Sequence, residues 1–195
     1  MPVFRIPTQQ TMTPLRPDAD VTEALLQSYG ASRQLAGDQV CIVALHIGGQ
    51  NSGIAVGTGL QPELVKSLPL GAQRTAREQF RTAPPTPLAM ENAIQVVEDV
   101  VMSLRAVIPR EALLFSADAS VREIARLSGD ADAEPLSLSL EAMERVFNRL
   151  SAVVDGSPAA HQGLPESNHF AATLLILREF MHHLQFARIV VLHAQ

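Results

Sequence analysis

The chain has 195 residues, 47% of them hydrophobic, enough to bury one sizeable core but cramped for two independent domains. Its formal charge is −5 and its 15 basic residues include a single Lys, Lys66, so no global field draws nucleic acid or an anionic membrane surface. A lone cysteine, Cys41, excludes an internal disulfide and a C-x-x-C zinc site; with no basic leader and no uninterrupted run of about 18 apolar residues, the expected setting is cytoplasmic.

Residues 1–21 hold Pro2, Pro7, Pro14 and Pro17 among Thr, Gln and Asp, too many breakers for a packed element, and are expected to form an extended arm. Residues 22–195 are expected to form one domain. Thr22 to Ser32 carries a short helical pattern in Leu25, Leu26 and Tyr29, with Gly30 as its stop. Val40 to Ile47 is a near-continuous apolar run, the mark of a strand buried on both faces.

Gly48-Gly49 then makes a tight turn, and strands over Gly53–Gly59 and Glu63–Leu70 complete an antiparallel meander of three. Arg74, Arg77 and Arg81 recur at steps of three and four, so they share one helix face. They form either a small basic stripe for phosphate or a solvated face paired with Glu78.

A helix over Pro87–Arg105 is spelled by Met90, Ile94, Val97, Val101 and Leu104, with Glu91, Gln95 and Asp99 opposite, and Thr86-Pro87 supplies its N-cap and first turn. Ala112–Ser116 reads as a strand and Ser120–Leu127 as a short helix. Gly129 to Pro135 forms a polar linker, and a helix capped by Ser139 follows. The last helix, Asn168–Leu184, is apolar nearly all round, and Ile189–Leu192 closes as the fifth strand.

Glu179, His182 and His183 sit near the end of that last helix. Glu-x-x-His puts two metal donors on one helix face, but only one such pair exists, so an exposed polar helix end is expected and no metal. Cys41 lacks the spacing of cysteine phosphatases, and no Gly-x-Ser-x-Gly, His-Glu-x-x-His or Walker loop is present.

Three meandering strands followed by alternating helices and strands resemble a ribonuclease H-like domain of the actin-like superfamily, an α/β fold with a mixed five-stranded sheet flanked by helices. Local motifs narrow the resemblance to the exopolyphosphatase/guanosine pentaphosphate phosphohydrolase (Ppx/GppA) family. His46-Ile-Gly-Gly-Gln-Asn-Ser52 stands where that family has Asp-Ile-Gly-Gly-Gly-Ser-Thr, and Ser67-Leu-Pro-Leu-Gly-Ala-Gln-Arg74 resembles its Ser-Leu-Pro-Leu-Gly-Ala-Val-Arg segment. Phe115 to Leu127 resembles its second glycine turn and following helix. Gly163-Leu-Pro165 with Arg188-Ile-Val-Val191 resembles its closing region, and Glu23 to Gly30 its helix before the first of these loops.

The resemblance covers about residues 22–193 and only the second domain of such enzymes, whose first domain supplies another phosphate loop and the catalytic carboxylate. It implies a phosphate site at Gly48, Gly49, Gln50, Asn51 and Ser52, with Ser120 from the second loop and Arg74 nearby. By itself Gly48-Gly49 is equally an ordinary hairpin turn. Glycine turns serve phosphate because they expose consecutive backbone N–H groups.

Two departures tell against hydrolysis. His46 replaces the loop's Asp, and a neutral imidazole is a poor Mg²⁺ ligand. Asp118 stands in the second loop, where its charge repels phosphate.

The expected function is therefore a degenerate Ppx/GppA-like module. It is non-catalytic or catalytically weakened and serves as a phosphate- or nucleotide-binding or interaction module, with a phosphate-bearing small molecule or polyphosphate as ligand, as a homodimer or with a partner protein, and not nucleic acid or membrane. The alternative is an active, Mg²⁺-dependent phosphohydrolase on polyphosphate or guanosine pentaphosphate, completed by dimerisation or a partner chain. A fold-stabilised remnant with no ligand is a third reading.

Overall fold

β1 (Ile42–Ile47) organises the molecule because both of its faces are buried. Val43, Leu45 and Ile47 point into a large core, while Ile42 and Ala44 point into a smaller one on the opposite side. That two-sided burial is why the run is continuously apolar rather than alternating. The computed structural model describes residues 19–129 and 135–193.

β2 (Ser52–Gly57) pairs antiparallel with β1, and β3 (Leu64–Leu68) pairs antiparallel with β2, in the expected meander. β4 (Leu113–Ser116) lies parallel to β1 on its other side, and β6 (Arg188–Val191) lies parallel to β4. The sheet has six strands, not the expected five, in the order β3-β2-β1-β4-β6-β5.

The additional strand is β5 (Leu136–Ser139), antiparallel to β6 at the sheet edge. Leu136 and Leu138 are buried and alternate with Ser137 and Ser139. Four residues of period-two pattern are easily read as the lead-in to the helix they precede.

α1 (Ala19–Ala36) covers the smaller core alone. It runs straight through Gly30, which was expected to stop it. Leu25, Tyr29, Ser32 and Arg33 are all buried and hold the helix on both sides of the glycine. The packing is close because β2 offers no side chain there: a Cβ on Gly53 would stand 2.7 Å from Leu25.

Arg33 pins the helix end by donating to the carbonyls of Gly37, Val40 and Gly57, each at 2.8 Å. The arm expected over residues 1–21 lies, through residue 18, outside the described residues, as do residues 130–134 of the expected linker.

The opposite face carries α2 (Ala72–Gln79), α3 (Pro87–Met102), α4 (Ala119–Leu127), α5 (Leu140–Val154) and α7 (Asn168–His183) around the larger core, with a short α6 (Ala159–Gln162) beyond α5. α7 packs against α2, α3, α4 and α5, which explains its all-round apolar surface. Thr86 caps α3, accepting from the Ala89 N–H with Pro87 in the first turn, and Ser139 caps α5. α3 ends at Met102 rather than Arg105, and a run of tight turns follows.

Candidate functional site

Parallel β1 and β4 end at the same edge of the sheet, where α/β sheets commonly bind ligands. His46, next to last in β1, projects on the α1 side with Ile42 and Ala44, while Asp118 caps α4 just beyond β4. His46 Nδ1 and Asp118 Oδ1 are 2.6 Å apart. A carboxylate only accepts, so Nδ1 carries the hydrogen.

The other carboxylate oxygen, Oδ2, accepts from the Ile47 N–H at 2.7 Å. Asp118 therefore caps α4 by position but gives its side chain to β1. The hydrogen bond from His46 Nδ1 to Asp118, opposed by burial and reinforced by the carboxylate's charge, raises the His46 pKa above its ordinary value.

This pair forms one wall of a cleft of about 490 Å³. The opposite wall is α1, through Gln27, Ser28, Ala31 and Gln34, and His193 closes the end beyond β6. Neither Arg nor Lys lines the cleft among the described residues. The groups there that can carry positive charge are the imidazoles of His46 and His193, beside the amino-terminal end of α4.

The residues singled out from sequence are only partly brought together. Gly48 and Gly49 form the β1–β2 turn, which folds back on α2: the Gly48 carbonyl accepts from Ala72 N–H at 2.9 Å and the Gly49 carbonyl from Arg74 N–H at 3.0 Å. The turn thus caps α2. Gly71 makes room for it, since a Cβ there would lie 2.5 Å from the Gly49 oxygen.

Gln50 is exposed and receives Arg77 at 3.4 Å. Asn51 is half-buried in the same turn. Ser52 is fully buried within β2. Ser120, in the first turn of α4, is half-buried. Arg74 bonds Glu78, 3.3 Å away on its own helix, so for Arg74 and Arg77 the structure shows the paired-face alternative.

Sequence reasoning matched Glu23 to Gly30 to the family's helix but did not see that α1 and His193 wall a cleft; only the topology places them beside His46. The Mg²⁺ that an active family member would use finds no suitable donor set here. Both Asp118 oxygens are engaged by protein donors, no other carboxylate lines the cleft among the described residues, and imidazole suits softer ions.

A mixed sheet with a three-strand meander, parallel central strands and helices on both faces defines a ribonuclease H-like domain of the actin-like ATPase class. The Ppx/GppA phosphatase family model matches residues 20–191, and the chain belongs to that family. Among solved structures it resembles the Aquifex aeolicus PPX-GPPA enzyme, with a TM-score of 0.68 at 14% identity over 89% of this chain and 60% of that one. It also resembles an exopolyphosphatase from Cytophaga hutchinsonii, with a TM-score of 0.66 at 14% identity over 88% of this chain and 59% of that one. The chain therefore spans about three-fifths of these structures. No curated protein sequence matches it significantly. None of the described helices is long and apolar enough to cross a membrane.

Proposed function

We propose that this Ppx/GppA-family domain works by binding rather than by turnover, accepting a phosphate-bearing small molecule in the cleft between α1, His46 and His193. The observation that carries the reading is the His46–Asp118 pair at 2.6 Å. It puts an imidazole where the family loop has a carboxylate, and it engages Asp118, the one carboxylate that lines the cleft among the described residues. An imidazole whose pKa its carboxylate partner raises, beside a helix amino-terminus, suits an anion better than a cation.

Leu26, an exposed apolar side chain of α1 at the cleft, favours association with a second copy or a partner chain there. A second reading rests on the same pair. An imidazole oriented by a carboxylate at Nδ1 is the arrangement of a general base, so an active phosphohydrolase, completed by another chain, would draw on His46 Nε2.

Titration with polyphosphate, guanosine tetraphosphate and guanosine pentaphosphate in the presence of Mg²⁺, following melting temperature and released phosphate together, separates the readings. The binding reading expects a saturable melting shift without release. Phosphate release abolished by Gly49→Val and by His46→Gln overturns it in favour of the hydrolase. Neither shift nor release leaves the ligand-free remnant.

A further inference from the structure

The far end of α7 holds a second cluster that shares no residue with the cleft. Glu179 was expected on an exposed polar helix end, yet its side chain is fully buried. Its Oε1 accepts from Arg178 at 2.6 Å, while its buried Oε2 accepts no hydrogen bond among the described residues. His183, one turn on, brings Nε2 to 3.0 Å from that Oε2 without donating to it. Glu98, from the neighbouring α3, brings Oε1 to 3.8 Å from the same imidazole nitrogen.

We propose that Glu98, Glu179 and His183 form a divalent-cation site of the zinc class that pins α3 to α7. The three donor atoms lie within 4.8 Å of one another. Two ligands of one tetrahedral zinc ion, each about 2.0–2.1 Å from the metal, stand about 3.3 Å apart. The separations at His183 fall on either side of that value, and Glu98 is 43% exposed, so closing the set needs only a side-chain adjustment.

A buried carboxylate oxygen with no donor is costly, and a cation removes the cost directly. Glu98 and Glu179 together carry two negative charges, against which Arg178 is shared between Glu179 and Glu144. One imidazole nitrogen with two carboxylates suits zinc, cobalt or nickel; magnesium prefers an all-oxygen octahedron. A cavity of about 140 Å³ beside His183 has room for solvent ligands. Arg105 and Arg110 on its wall weaken cation affinity, and the bound carboxylates must outweigh them.

Sequence spacing pointed to Glu179 with His182, the wrong imidazole. His182 is half exposed and turned towards Glu144 at 3.5 Å. The third ligand comes from another helix, which no local motif reveals.

The test uses the whole chain after dialysis against chelator, titrated with Zn²⁺ and with Co²⁺, whose visible absorption reports its coordination. Expected are one-to-one binding, a melting midpoint that rises with Zn²⁺ and a weaker response to Mg²⁺. Glu98→Gln and His183→Ala should each weaken binding about 10-fold or more, while His182→Ala leaves it unchanged. Glu98→Gln removes a half-exposed carboxylate and keeps the fold testable even if His183→Ala does not. Lack of saturable binding, affinity unchanged by Glu98→Gln, or an equal loss with His182→Ala overturns the proposal.

Discussion

His46 and Asp118 stand 72 positions apart in sequence and 2.6 Å apart in space, joining the end of β1 to the start of α4. The bond raises the His46 pKa, so the protonated imidazole is more stable folded than unfolded. Stability from the pair is therefore complete below the unfolded value of about 6.5 and is lost as pH rises through the raised folded value.

Urea midpoints measured from about pH 5.5 to about pH 9 should fall on the alkaline side in the parent protein. Asp118→Asn should flatten that fall and cost about 1–3 kcal/mol at the acidic end. A parent and variant with parallel pH profiles would show that the pair contributes nothing.

Gly71→Ala tests the seat of the β1–β2 turn. The Gly71 backbone, at φ −150°, is extended and open to any residue, so the cost comes from space alone. The added methyl would lie 2.5 Å from both the Gly49 oxygen and the Gln50 carbonyl carbon, and backbone cannot rotate away as a side chain would. A loss of about 1–3 kcal/mol in equilibrium unfolding is expected. Anion binding should weaken with it if the turn and the cleft are coupled through His46.

Arg33→Met should cost about 2–4 kcal/mol, because it strips donors from three backbone carbonyls and from Tyr29 Oη while keeping the apolar stem. Thermal unfolding with parent-like stability would show that water replaces the guanidinium at the end of α1.

The elements that sequence placed well are those whose signal is local. The β1 run, the periodicity of α3 with its Thr86 cap, and the apolar girth of α7 each declare themselves within one segment. β5 did not, because Leu136 and Leu138 are its whole apolar signal and its pairing partner β6 lies some fifty residues downstream. Gly30 misled for a related reason. Its helix-breaking tendency is real, but burial of Tyr29 and Arg33 beside it outweighs a cost of about 1 kcal/mol. At the cleft, the family order singled out His46 and Asp118 as substituted positions, along with Gln50 and Asn51 in the turn beyond. That His46 and Asp118 bond each other, rather than each weakening a phosphate site separately, depends on side-chain directions that only the packed sheet supplies.

Ser52 separates inherited pattern from present contact. It occupies a position that the resemblance assigns to phosphate, yet its side chain is fully buried and its Oγ has no hydrogen-bond partner among the described residues. If the cleft binds anions through His46 and the amino-terminal end of α4, the hydroxyl takes no part. Ser52→Ala should then leave anion affinity unchanged and raise stability by about 1 kcal/mol, since it removes a buried polar group that lacks a partner. Calorimetric titration with pyrophosphate, alongside denaturant unfolding of the same variant, measures both quantities. A loss of affinity without loss of stability would instead mean that β2 shifts on binding and returns Ser52 to the phosphate, so that the turn, not the His46–Asp118 wall, is the binding element.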